Sequence, residues 1–87
     1  MPSSRSVTVT VRFLARYAEL AGRETVTVQA PGPATVDSIL ARLSEVLPAA
    51  GRLPAKPLCA CNFRQVRGTE LVADGDEIAL LPPMAGG

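Results

Sequence analysis

The sequence closes on Pro82-Pro83-Met84-Ala85-Gly86-Gly87, its most chemically suggestive stretch. Paired prolines fix φ and send a chain out of a sheet on an extended course. Six residues from Pro82 reach roughly 20 Å. Glycine has no Cβ, so Gly86 and Gly87 can enter a slot too narrow for any other residue. A carboxylate at the tip of such a probe is a poor electrophile at neutral pH. It becomes reactive once a partner converts it with ATP to an acyl-adenylate, from which a sulfur or nitrogen nucleophile displaces AMP. The metal and electrostatic work of that step belongs to the partner. The bland alternative is an idle, frayed, glycine-rich end.

The rest of the chain is poorly equipped to be a catalyst alone. It has no His, the side chain whose ordinary pKa suits proton transfer near neutrality. It has no Gly-x-x-x-x-Gly-Lys phosphate loop. Cys59 and Cys61 form Cys-x-Cys, which on a strand places both thiols on one face about 6.6 Å apart, poorly set for an unstrained disulfide. Two Cys without His complete neither a tetrahedral zinc site nor a four-Cys iron–sulfur site, so these thiols read as buried and inert. The acidic group Glu70, Asp74, Asp76 and Glu77 could attract a metal, but Asp74-Gly75-Asp76 reads first as turn chemistry. Arg12, Arg16, Arg64 and Arg67 read as solvated edges, with Arg64 or Arg67 a further candidate for partner contact. No metal site and no bound cofactor are expected.

Composition narrows the partners. Nine Lys+Arg against eight Asp+Glu give +1, so no basic field calls for a phosphate backbone. Three aromatic residues offer too few rings for base stacking. No apolar run has the length of a membrane span or follows the N-terminus as a signal peptide would. The expectation is a reduced, soluble, cytoplasmic protein without nucleic-acid or membrane partners. Eighty-seven residues make one small domain.

The elements that must carry the tail are legible from period. Ser6–Leu14 alternates, with Val7, Val9, Val11 and Phe13 on one face and Thr8, Thr10 and Arg12 on the other, and predicts a strand. Ala15–Gly22 favours one or two helical turns with Gly22 as the stop. Arg23–Gln29 alternates again until Pro31-Gly32-Pro33. Thr35–Leu47 is the main helix, with Thr35 as N-cap, Asp37 in the first turn and a stripe of Val36, Ile39, Leu40, Leu43 and Leu47. Ala49–Pro57 reads as a loop, Leu58–Phe63 as a buried strand, Gln65–Val72 as a weak strand and turn, and Glu77–Leu81 as a last strand that Pro82-Pro83 forbids from continuing. The order predicts an α+β β-grasp domain over 6–81. Its mixed four- to five-stranded sheet is covered on one face by one main helix, with a flexible extension at 1–5 and an extended tail at 82–87. A ferredoxin-like split βαβ would need a second helix near 64–73, where none is visible.

Three stretches carry a family likeness: Phe13-Leu14-Ala15-Arg16-Tyr17-Ala18-Glu19-Leu20-Ala21-Gly22; Asn62 after the buried strand; and Leu71 followed by Asp74 to Pro83 and the closing Gly86-Gly87. In these the chain resembles the small subunit of molybdopterin synthase, the MoaD-like sulfur carriers of the ubiquitin-like β-grasp class. The resemblance implies a non-catalytic subunit. An E1-like enzyme would adenylate Gly87 with ATP, and a sulfurtransferase would convert it to a thiocarboxylate. The tail would then enter the synthase large subunit, within a heterotetramer, and donate sulfur to cyclic pyranopterin monophosphate for the molybdopterin dithiolene. Gly86 would thread the channel, and Pro82, Pro83, Met84 and Ala85 would line the docking segment. Phe13, Leu80 and Leu81 would be partner-facing or core positions. A carrier for thiazole or cysteine synthesis, and a modifier joined through Gly87 to lysines of other proteins, remain alternatives.

Overall fold

The computed structural model describes residues 6–54 and 57–82. The expected extension at 1–5 and the tail residues Pro83, Met84, Ala85, Gly86 and Gly87 lie outside the described residues.

Strand β1 (Ser6–Phe13) buries Val7, Val9, Val11 and Phe13 and turns its threonines outward, as its alternation predicts. A short helix α1 (Arg16–Ala21) follows and stops at Gly22, which is left-handed with φ 78°. Strand β2 (Thr25–Pro31) starts two residues later than predicted and runs two further, because Ala30 and Pro31 pair with Val7 and Ser6. Strand β3 (Ala34–Thr35) is a two-residue ladder with β6 (Leu71–Val72). Helix α2 (Val36–Val46) begins at Thr35 and points Val36, Ile39 and Leu43 into the core, with Leu40 and Leu47 packed at its margin. The predicted loop opens with a 3-10 turn at Pro48–Arg52 that buries Ala50.

Strand β4 (Leu58–Cys61) is shorter than predicted. The chain reverses at Asn62-Phe63 into β5 (Arg64–Val66), and β7 (Glu77–Leu81) completes the sheet. Phe63 is therefore no part of a buried strand. The two residues needed to turn a hairpin place it at the tip, 99% exposed.

The sheet order is β2-β1-β7-β4-β5. Only β1 and β7 run parallel; the other neighbours are antiparallel. Helix α2 covers one face, and the core lies between it and the inward residues of β1, β2, β4 and β7. This is the expected β-grasp arrangement: five strands in a mixed sheet, one main helix and a small accessory ladder. Both cysteines are free and buried on the helix-covered face.

Candidate functional site

The face that α2 leaves uncovered is not uniformly polar. Toward β2 it presents Thr8, Thr10, Thr25, Thr27 and Gln29. Toward β4 it becomes apolar, and strand register arranges the residues in rows. Leu58 pairs with Leu81, and Phe13 pairs with Leu80, which sets Leu14 beside Leu81. One row is thus Leu14, Leu81 and Leu58. The next is Arg12, Ala79 and Ala60. The third holds Glu77 and Asn62, joined by the Asn62 N–H donating to the Glu77 carbonyl at 3.0 Å. Two alanines between larger neighbours leave a trough of about 410 Å³, lined by Arg12, Leu14, Ala60, Asn62, Phe63, Glu77, Ala79 and Leu81. Arg12 and Glu77 form an ion pair at its edge, so the trough carries no uncompensated charge there.

One carboxylate holds the hairpin tip in place. Asp76 Oδ2 accepts from the Ala73 N–H at 2.8 Å, and Oδ1 accepts from Asn62 Nδ2 at 3.1 Å. Cys61 Sγ lies 3.6 Å from Oδ2. Asn62 Oδ1 in turn accepts from the Glu77 N–H at 3.1 Å. These donors hold the Asp76 carboxyl below the usual carboxylate range, the Ala73 N–H contributing most. Asp74 Oδ1 accepts from the Thr8 N–H at 2.7 Å, Glu70 pairs with Arg64 at 2.9 Å, and Glu77 pairs with Arg12. The acidic group is therefore a set of turn and edge fasteners, and the described residues contain no cluster arranged to hold a metal.

Backbone strain gathers around the trough. The non-glycine residues with positive φ among the described residues are Ala15 (φ 53°), Asn62 (φ 51°) and Phe63 (φ 73°). Ala15 follows Leu14 at one wall, and Asn62-Phe63 forms the other. Such conformations cost on the order of 1–3 kcal/mol each unless the side chain is Gly or Asn, and they concentrate at functional sites.

Of the residues singled out from sequence, Pro82 is half-buried where β7 ends, with Leu81 before it on the open face. Phe13 and Leu80, open between partner-facing and core in the sequence, lie in the core. They are 2% and 0% exposed, because alternation along β1 and β7 turns them toward α2. Their neighbours Leu14 and Leu81 hold the open-face positions. Leu14 and Phe63 were missed. The signal for Leu14 is an apolar residue continuing the Thr8, Thr10, Arg12 face; Phe63 has only the turn-forming Asn62 before it. The cysteines are buried as expected: burial first, then the Asp37 charge, pushes the Cys59 thiol up to about 11, and burial and Asp76 raise Cys61.

The sequence matches the ThiS family over residues 11–87. The chain belongs to the ThiS family. It is 31% identical over 81 residues to the molybdopterin synthase sulfur carrier subunit of Chlamydomonas reinhardtii, covering 91% of this chain and 98% of that one. Its structure is similar to small archaeal modifier protein 1 of H. volcanii (TM-score 0.79, 32% identity, 90% of this chain and 99% of that chain). It is also similar to a chain in the complex of subunits 1 and 2 of molybdopterin-converting factor from Helicobacter pylori (TM-score 0.68, 26% identity, 93% and 100%). This ThiS-family chain is thus a small ubiquitin-like β-grasp protein of the sulfur-carrier type. No helix among the described residues is long and apolar enough to cross a membrane.

Proposed function

We propose that this chain carries sulfur for molybdopterin synthesis on the carboxyl group of Gly87. An E1-like partner joins that carboxylate to the α-phosphate of ATP with release of pyrophosphate. A sulfide equivalent delivered by a sulfurtransferase then displaces AMP at the carbonyl carbon and leaves a thiocarboxylate. The tail, with Pro82, Pro83, Met84 and Ala85 as its docking segment and Gly86 at the narrow point, enters the large synthase subunit. There the sulfur passes to cyclic pyranopterin monophosphate. The chain supplies the handle and the docking face, and its partners supply the catalysis and the ATP.

The observation that best supports this reading is where β7 sits. It is the central strand of the sheet, it ends at the apolar half of the open face, and Pro82 and the tail follow it in sequence. A protein that takes the tail can rest on Leu14, Ala60, Ala79 and Leu81. The test is to co-express the full chain with its activating enzyme and sulfurtransferase and weigh it intact. The expected mass gain is that of one oxygen replaced by sulfur, lost when Gly87 is deleted. A chain that never gains sulfur refutes the proposal.

A second reading, attachment through Gly87 to lysines of other proteins, is favoured by the likeness to the archaeal modifier. Peptides bearing a Gly-Gly remnant on lysine after digestion would support it.

A further inference from the structure

Phe63 has no part in the fold's interior and none in the chemistry proposed for the tail. Its ring is 99% exposed, yet it occupies the second position of a two-residue hairpin turn with φ 73°. Such turns need positive φ at both central residues and favour Asn-Gly. Asn62 meets that demand, and its side chain is pinned by Asp76 and the Glu77 N–H. Phe63 does not, and a bulky side chain there is a clear outlier. The turn is thus held in place by its neighbours while it presents a large apolar group to water.

Phe63 stands at the wall of the alanine-floored trough. We propose that Phe63 is the docking anchor of this carrier. Its ring enters an apolar cleft on the protein that receives the tail, while an apolar ridge of that same protein fills the trough over Ala60 and Ala79. This rests on the sulfur-carrier reading above.

The position of the tail argues for that occupant. Leu81 lines the trough and precedes Pro82. Glu77 and Leu81 are the two ends of β7, so the turn at Asn62-Phe63 and the root of the tail lie roughly 13 Å apart at 3.3 Å per residue. Six residues from Pro82 reach roughly 20 Å. A protein acting on Gly87 therefore docks within that radius of Leu81. A standard interface of about 800 Å² per partner spans both the tail root and the turn. A second copy seated on the trough would instead cover Leu81 and obstruct the tail root of both chains. Buried aromatic side chains are the usual hot spots of such contacts. The trough is neutral because Arg12 and Glu77 are paired, which suits an apolar occupant over a charged one.

The test uses the full chain with the molybdopterin synthase large subunit of the same organism as probe. Phe63→Gly removes both the ring and the strain. The expected pair of results is a midpoint of thermal unfolding unchanged or raised, together with an affinity roughly tenfold or more weaker. Phe63→Tyr keeps the ring and should bind within about threefold of wild type. A ring with a merely structural role would give the opposite pattern, lower stability with affinity intact. Equal binding by Phe63→Gly overturns the assignment, as does a wild-type chain that does not bind the large subunit. A wild-type dimer in light scattering that Phe63→Gly dissolves also overturns it, in favour of a second copy. Sulfur loading of the wild-type chain, weighed in parallel, keeps the outcomes apart. Loading with undiminished Phe63→Gly binding refutes the anchor alone, and absent loading refutes the carrier reading.

Discussion

At the residue scale, Asp76 fastens three segments with one carboxylate: its own turn through Ala73, the hairpin tip through Asn62, and β4 through Cys61. Because these donors favour the ionised form, the folded chain holds the Asp76 proton less tightly than the unfolded chain does. The stability this confers is complete above the unfolded carboxylate pKa, about 3.9, and fades as pH falls through the lower folded value. We expect Asp76→Asn to be less stable than wild type at neutral pH and to lose less on acidification below about pH 4. Urea midpoints measured at several pH values would show the two curves converging toward acid. The same scale shows what alternation can and cannot say. It sets Phe13 on one face with Val7, Val9 and Val11, opposite Thr8, Thr10 and Arg12. Alternation alone does not say which face the helix covers; α2 lies over the face of Phe13 and Leu80 and makes them core.

Among the elements, α2 was the easiest to read and is the most firmly started. Thr35 Oγ1 accepts from the Ser38 N–H at 3.2 Å, and Ser38 Oγ accepts from the Thr35 N–H at 2.8 Å, a reciprocal capping box. The Val36 and Asp37 N–H groups donate to the Glu70 and Gly68 carbonyls at 3.0 and 2.9 Å, so the segment between β5 and β6 also closes the helix end. Gly68 permits that approach: a Cβ there would stand 2.1 Å from Asp37 Oδ1. Thr35→Ala should cost about 1 kcal/mol, and Thr35→Ser should restore most of it, read from chemical denaturation. Thr35 was legible as a cap. The reciprocal role of Ser38 was not, because the usual signature places Glu or Gln there. Segment 64–72 resisted reading for a different reason. Strands of three and two residues carry too little period, and their positions are set by distant partners, Cys59 to Cys61 for β5 and Ala34–Thr35 for β6.

For the molecule as a whole, burial makes Cys59 a reporter of sheet opening. It lies on β4, flanked by β7 and β5, with its thiol pushed up to about 11. Against an ordinary thiol at 9.0, that alone lowers the reactive thiolate roughly a hundredfold near neutral pH. We expect iodoacetamide to label Cys59 at least that much more slowly in the folded chain than in urea, followed by mass. The β-grasp order was legible because it rests on local rules: period, caps and turn residues. The apolar trough was not, because it exists only where three distant strands bring Leu14, Ala60, Ala79 and Leu81 side by side. The place of β7 between β1 and β4 also has a mechanical meaning. A tug on Pro82 along the strand axis loads the ladders on both flanks in shear, so they must yield together rather than peel apart one rung at a time. The domain can be towed by its own thread without being unpicked.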